Sequence, residues 1–264
     1  MLSLAAISKT FNLDSPSPNP ALCGIDLHLE PGEFVTIIGS NGAGKSSLLN
    51  AIAGVFPVDS GQICVDGQDI TAWPEHKRAS LIGRVFQDPM MGTASSMSIE
   101  ENLAMAAKRG AARGFSRGVN VNSRSRFREL LADLGLGLEN RLSDKVKLLS
   151  GGQRQSLTLL MATISHPKLL LLDEHTAALD PKTAQQVAEL TERIVKSAGL
   201  TVLMVTHNME HALNTGSRTV MMHEGQIIFD VSGEKRANMS VTDLLNEFSR
   251  LRGESLADDR LLLG

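Results

Sequence analysis

Gly39, Ser40, Asn41, Gly42, Ala43, Gly44, Lys45 and Ser46, with Ser47 behind them, carry the sharpest chemical signal in this chain of 264 residues. Their spacing is G-x-x-x-x-G-K-S. An apolar run, Phe34–Ile38, reads as a strand before them, and Lys45–Ala53 reads as a helix after them. Strand, glycine-rich loop and helix in that order form a phosphate cradle. Glycines let successive backbone N–H groups point at phosphate oxygens without a side-chain clash. The helix N-terminus adds a partial positive charge. Lys45 brings a point charge to the β- and γ-phosphates of a nucleotide, and the Ser46 hydroxyl is placed to ligate Mg2+.

Two further clusters belong with a nucleotide. The apolar run Leu169–Leu172 ends in Asp173 and Glu174. A buried strand delivers Asp173 to a fixed edge, where it can hold Mg2+ through water. Glu174 is then placed to polarise an attacking water as general base. Leu149, Ser150, Gly151, Gly152 and Gln153 precede a helical stretch and make an anion-binding helix N-terminus. These five residues in a row are expected by chance in roughly three chains of this length in ten thousand, so the match carries weight.

With these motifs in order, the chain resembles the nucleotide-binding subunits of ABC transporters over nearly its whole length. The resemblance implies a P-loop NTPase with ATP and Mg2+, working as a head-to-tail dimer. Ser150, Gly151, Gly152 and Gln153 would complete the ATP site of the opposite subunit. Gln87, after the strand-like Leu81–Phe86, matches the Q-loop glutamine that contacts Mg2+ and the attacking water. Ala178, Leu179 and Asp180 resemble the D-loop, which crosses the dimer seam. His207, after Val202–Val205, matches the switch histidine at the γ-phosphate. Phe11 stands where the family places an aromatic ring on adenine. Three features depart from the family pattern: His175 stands for the usual proline, Ser47 for threonine, and the D-loop lead-in is Ala177 and Ala178 where the family has serine.

Residues 87–102, 134–141 and 173–181 look like one bacterial group within that family. Its ATPases pair with permeases of the branched-chain-amino-acid type and are thought to import amino acids, aromatic ones among them. The resemblance implies a second ATPase subunit (a homodimer being expected) and a separate permease docking near residues 88–100. There Met90, Met91 and Met97 supply either a soft docking surface or ordinary packing. It also implies an extracytoplasmic binding protein as an indirect partner, and a peripheral place on the cytoplasmic face of the inner membrane. The competing readings are a soluble ABC ATPase acting on DNA or ribosomes, a small-molecule kinase and a non-hydrolysing subunit. The first usually needs a coiled coil or a second ATPase domain, the second has no use for residues 149–153, and the third would lack the base.

The elements that must position these residues read as α/β. Short apolar runs alternate with turns up to Phe86, and Gln62–Val65 reads as a strand. The pattern is helical from Asp88 to Ser165, with Phe127, Leu130, Leu131 and Leu134 on one face. Strands and helices alternate again from Lys168: Val187, Leu190, Ile194 and Val195 mark a helix face. Val220–Met222 and Ile227–Phe229 flank a hairpin turn at Glu224 and Gly225. A last helix begins after Ser240, capped with Asp243, and carries Leu244, Leu245, Phe248 and Leu251. The expected architecture is one ABC ATPase domain over 1–253. A core with an antiparallel β subdomain (1–87 and 166–253) would enclose an inserted α-helical subdomain (88–165), and 254–264 would form a tail.

Composition sets the outer bounds. Hydrophobic residues are 42% and charged residues 21%, which excludes a disordered chain. A net charge of −3 and aromatics at 3%, with no tyrosine, argue against nucleic acid as a partner. No apolar run approaches the ~20 residues of a membrane span, and Met1–Thr10 has no signal-peptide core. Cys23 and Cys64 read as small core residues in a reducing compartment. Ser15–Pro20 is a surface loop by composition. Lys108, Arg109, Arg113, Arg117, Arg124, Arg126 and Arg128 stand in a stretch without acids. That stretch is either a solvated face or a contact with acidic headgroups or a partner.

Overall fold

The computed structural model describes residues 1–14, 16–111 and 118–252, the last two by backbone alone. Ser15, Arg113, Arg117, the Leu251 side chain and the tail 254–264 lie outside the described residues. The chain forms two compact units, Met1–Arg78 with Leu200–Gly264, and Ala79–Gly199.

The first unit opens with β1 (Leu2–Phe11), β2 (Asn19–Leu29), β3 (Phe34–Ile38), α1 (Lys45–Ala53), β4 (Ser60–Val65), β5 (Gln68–Asp69) and α2 (Glu75–Arg78). The second holds β6 (Ile82–Val85), α3 (Ile99–Ala107), α4 (Val121–Ala132), α5 (Gly151–Thr163), β7 (Leu169–Asp173) and α6 (Pro181–Ala198). The chain returns to the first unit with β8 (Thr201–Val205), α7 (Met209–Asn214), β9 (Arg218–His223), β10 (Gln226–Ser232), α8 (Gly233–Ala237) and α9 (Val241–Arg252).

In the first unit an antiparallel sheet runs in the order β2-β1-β4-β5. Leu22, Ile25, Leu27 and Leu29 of β2 point inward, and Leu2 and Leu4 of β1 face Leu29 and Leu27 across the ladder. The period-two spacing of Ile25, Leu27 and Leu29 puts these side chains on one face, as a half-buried strand requires, and the ladder is irregular between Leu22 and Ile25. A parallel pairing makes the rest. β3 lies between β8 and β9, and β10 returns antiparallel to β9. Both β3 and β8 are buried at all five positions. Such unbroken burial belongs to strands covered on both faces, and it explains why their sequences do not alternate. Thr36 is the polar exception in β3. Its hydroxyl pairs with the Thr219 hydroxyl at 3.0 Å and the Ala212 carbonyl at 3.1 Å.

Two buried arginines pin the helices that leave this sheet. Arg78 donates to the Ala51 and Ile52 carbonyls at 2.8 and 2.9 Å, and to Trp73 and Thr71 at 2.9 and 2.7 Å. The last carbonyls of α1 thereby gain a cation, which also suits the helix dipole. Arg236 does the same for α7, donating to the Ala212 and Thr215 carbonyls at 2.7 and 2.6 Å. Helix α9 starts at the expected Ser240–Asp243 box. Its Leu244 and Phe248 close a cluster with Ile38, Met209 and Met221.

In the second unit β6 and β7 run parallel, from Ile82 opposite Leu169 to Val85 opposite Leu172. Helix α5 packs closely on β6; a Cβ at Gly83 would collide with the Ala162 carbonyl. Phe127, Leu131 and Leu134 are buried as the helical spacing requires, as are Val187, Leu190 and Val195 of α6. Cys23 and Cys64 differ from expectation: both are free but only half-buried, because they occupy the partly covered face of β2 and β4.

Candidate functional site

The strand registers decide which residues share an edge. In the first unit Ile37 is opposite Val205, and the Thr206 amide donates to the Ile37 carbonyl at 3.1 Å. Gly39 and His207 each lie two residues further on, so they leave the same C-terminal edge of neighbouring parallel strands. In the second unit Val85 is opposite Leu172, which brings Gln87 and Glu174 to the corresponding edge. Ligands of open α/β sheets bind at such edges.

The glycine-rich loop has the backbone that its sequence demands. Gly39 and Gly44 sit at φ 147° and 97°, conformations that L side chains rarely adopt. A Cβ on Gly39 would strike the Met222 carbonyl, and one on Gly44 would lie 2.5 Å from the Ala21 carbonyl. Gly44 is the N-cap of α1, which carries no acid in its first turn. Lys45 is buried, its ammonium donating to the Gly39 and Ser40 carbonyls at 2.6 and 3.0 Å. That brings the charge back over the loop. The Ala43 amide donates to the Ser40 carbonyl and closes a turn around Asn41 and Gly42. Ser46 is exposed and Ser47 half-buried in the first turn of α1. The tip of the β9–β10 hairpin braces the loop: the Gly225 amide donates to Ala43 and its carbonyl accepts from Cys23.

His207 is half-exposed between two residues that fix the turn. The Asn208 amide donates to the Thr206 hydroxyl at 3.1 Å, and the Asn208 side chain caps α7 through the His211 amide at 2.8 Å. Phe11, at the end of β1, packs edge-on against Phe56 with ring centroids 5.0 Å apart. Lys9 reaches both rings.

The second unit gathers the remaining residues. Ser150 caps α5 in a reciprocal box: its hydroxyl accepts from the Gln153 amide at 3.3 Å, and the Gln153 side chain accepts from the Ser150 amide at 3.2 Å. The Ser150 oxygen so used still leaves its own O–H as a donor for an anion. Gly151 lies against Leu179, and a Cβ on Gly152 would overlap the Thr183 methyl. The signature therefore packs on Leu179 and the first turn of α6, with no room for a side chain at position 152 and little at 151. Asp180 caps α6 through the Thr183 amide at 3.1 Å; hydrogen bonds from Thr183 hold its carboxyl below the usual range.

Glu174 occupies the left-handed region at φ 43°, immediately beyond the last residue of β7. A non-glycine residue held there costs about 1–3 kcal/mol and persists where its surroundings over-determine it. The neighbour His175 supplies that constraint. It is buried, its Nε2 lies 3.0 Å from the Thr191 hydroxyl of α6, and its carbonyl accepts from Gln155 of α5 at 2.7 Å. The same Gln155 amide reaches the Phe86 carbonyl, next to Gln87, at 3.2 Å. Sequence reasoning passed over Gln155 because it follows the signature as one more polar residue. It also passed over Arg84, whose Nη2 lies 3.6 Å from the Asp173 carboxylate. A charge inside the apolar stretch Leu81–Phe86 was the available signal.

Met90 and Met91 are exposed, and Met97 is half-buried. Of the basic stretch, Arg124 is bound by Glu100 through two bonds of 2.6 Å, and burial pushes the Arg109 guanidinium down. Among the described residues no helix is long and apolar enough to cross a membrane. Nor is there a cluster of three or more His, Cys, Asp and Glu residues arranged for a metal. Magnesium bound by one carboxylate, a hydroxyl and nucleotide phosphates needs no such cluster.

A P-loop on a parallel α/β sheet, with a capped signature helix, defines an ATP-binding cassette. The chain belongs to the ABC transporter family, whose profile matches residues 22–177. It is an ATP-binding, ATP-hydrolysing subunit of that family. A tyrosine transport ATP-binding protein of Clostridioides difficile is 45% identical over 94% of this chain and 98% of its own. A methionine import ATP-binding protein of Corynebacterium glutamicum is 34% identical over 84% of this chain, which spans 60% of that relative's length. Among solved structures, a dimeric ATP-binding cassette bound to ADP and Pi matches with a TM-score of 0.75. It is 28% identical and covers 88% of this chain and 98% of its own.

Proposed function

We propose that this chain is the ATPase subunit of an importer that takes up an amino acid, an aromatic one such as tyrosine being the leading candidate. The supporting observation is the end-to-end likeness to the tyrosine transport ATP-binding protein, which covers nearly the whole of both chains. We read 1–253 as one ABC ATPase domain that works as a homodimer. It lies on the cytoplasmic face of the membrane and docks a separate permease near residues 88–100. An extracytoplasmic binding protein would deliver the solute.

In this reading the P-loop backbone and Lys45 hold the ATP phosphates, and Phe11 lies under the adenine. Ser150 to Gln153 of one subunit close on the nucleotide of the other, with Asp180 at the seam. Glu174 takes the proton of the attacking water, and His207 and Gln87 hold the γ-phosphate and that water in line. The donor set fits Mg2+: Ser46, Gln87 and Asp173 offer only oxygen, the preference of a hard cation. When bound, the ion neutralises charge on the β- and γ-phosphates. Closure and reopening of the dimer would drive the permease mechanically.

Detergent co-purification of the tagged chain from its native cell, read by mass spectrometry, tests this. Recovery of a polytopic membrane protein is expected. Recovery of DNA-repair or ribosomal proteins alone would replace the importer with a soluble ABC ATPase.

A further inference from the structure

We propose that Arg84 is an exchangeable counter-ion for Asp173: it holds the carboxylate when metal is absent and raises the magnesium concentration needed to claim it. This rests on the reading of Asp173 as a magnesium-site residue. Arg84 acts through Asp173 and is a positioning residue.

Three observations carry it. First, the placement is built into the sheet. Arg84 lies opposite Leu171 in the parallel register, and its side chain reaches forward to Asp173 at the end of β7. Second, the pair is shielded. Only 12% of the Arg84 side chain and 14% of Asp173 are exposed. At such burial the two charges feel each other with little screening. Third, the contact is loose. Its N···O distance of 3.6 Å exceeds hydrogen-bond reach. Arg218 grips Asp230 through bonds of 2.7 and 2.6 Å, and Arg124 grips Glu100 through two of 2.6 Å. Those are bidentate structural pairs. Arg84 instead rests over the Phe86 ring, 4.5 Å from its centroid, so the guanidinium has a second resting place when the carboxylate is taken.

A fixed cation beside a carboxylate disfavours a second cation there. Removing it should strengthen magnesium binding at least about 10-fold, since one unit-charge interaction over about 4 Å exceeds the energy of a tenfold change at an effective dielectric near 20. Phe86 precedes Gln87, so the exchange also shifts a group at the base of the Q-loop.

The test is a magnesium titration of fluorescent ATP-analogue binding to the purified full-length chain, with no turnover measured. Arg84→Met and Arg84→Gln should each lower the half-saturating magnesium at least about 10-fold, while Arg84→Lys stays near wild type. Two neutral variants guard against one failing to fold, which circular dichroism reports. A half-saturation left unchanged or raised in the neutral variants overturns the proposal. Asp173→Asn should raise it in both the wild-type and Arg84→Met backgrounds. If Asp173→Asn leaves the curve in place, the reading of Asp173 fails instead, and the Arg84 proposal falls with it.

Discussion

The side-chain amide of Gln155 donates to the carbonyl of His175 at 2.7 Å, and its second hydrogen reaches the carbonyl of Phe86 at 3.2 Å. One buried side chain on the signature helix thus anchors the residue after Glu174 and the residue before Gln87. Gln155→Leu would leave one buried and one part-buried carbonyl without this donor, a cost of about 1–3 kcal/mol for a buried group that stays unmet. We expect a lower melting temperature, and a fall in turnover larger than any fall in ATP affinity. Gln155→Glu keeps the shape but removes both N–H donors and should behave alike. Wild-type turnover and melting in both variants would show that the anchor is idle.

Lys45 donates to two carbonyls of its own loop, so the loop itself holds the charge in place. Lys45→Ala should weaken ATP binding about 10-fold or more, the value of a lost charge-assisted hydrogen bond. Isothermal titration with a non-hydrolysable analogue measures it, and equal affinity would count against the phosphate role.

Glu174→Gln preserves the size of the side chain and the bonds around His175 while removing the base. Turnover should drop about 10²–10⁴-fold with ATP binding intact. Single-turnover kinetics at saturating ATP decide it; hydrolysis at the wild-type rate would remove Glu174 from the mechanism.

Ser150 sits at a helix start where Gly151 and Gly152 pack against Leu179 and Thr183. Ser150→Arg adds bulk and charge where the phosphate of the opposite subunit is expected. We expect ATP to bind the monomer but no ATP-dependent dimer to form in the Glu174→Gln background. A dimer peak on size exclusion in the double variant would contradict a signature acting in trans.

Asp69 offers a pH test in the β subdomain. Hydrogen bonds from the Thr71 hydroxyl, from Gln62 and from the Thr71 amide hold its carboxyl down to about 2. A group with a depressed folded pKa adds stability that is present above its unfolded value of 3.8 and is lost as pH falls through about 2. Asp69→Asn should therefore melt below wild type at pH 7, with the gap closing between pH 4 and 2. A gap that stays constant over that range would assign the effect to geometry alone.

Much of this was legible in the sequence, for identifiable reasons. The P-loop declares itself because glycine at positions 39 and 44 is enforced by backbone collisions, and the helix start after Ser150 because a serine and two glycines precede a helical stretch. The buried strands were legible as unbroken apolar runs. The pairing of Arg84 with Asp173 and the two bonds of Gln155 were not, since they depend on which strand lies beside which and in what register. Arg78 and Arg236 look like surface cations in the sequence. They are buried because helix ends supply enough carbonyls to satisfy them. The two cysteines look apolar by their neighbours, yet they fall on the less covered face of their strands.

The hairpin tip at Glu224 and Gly225 has one further consequence. Its two left-handed residues, at φ 46° and 75°, make the tight turn that a two-residue hairpin prefers, and Glu224 itself is exposed. A protein engineer would choose such a tip for an epitope tag or a fused fluorophore. Here the Gly225 peptide is stitched to Ala43 on one side and Cys23 on the other. An insertion at this tip would pull on the phosphate cradle, so it is a poor graft point despite its exposure.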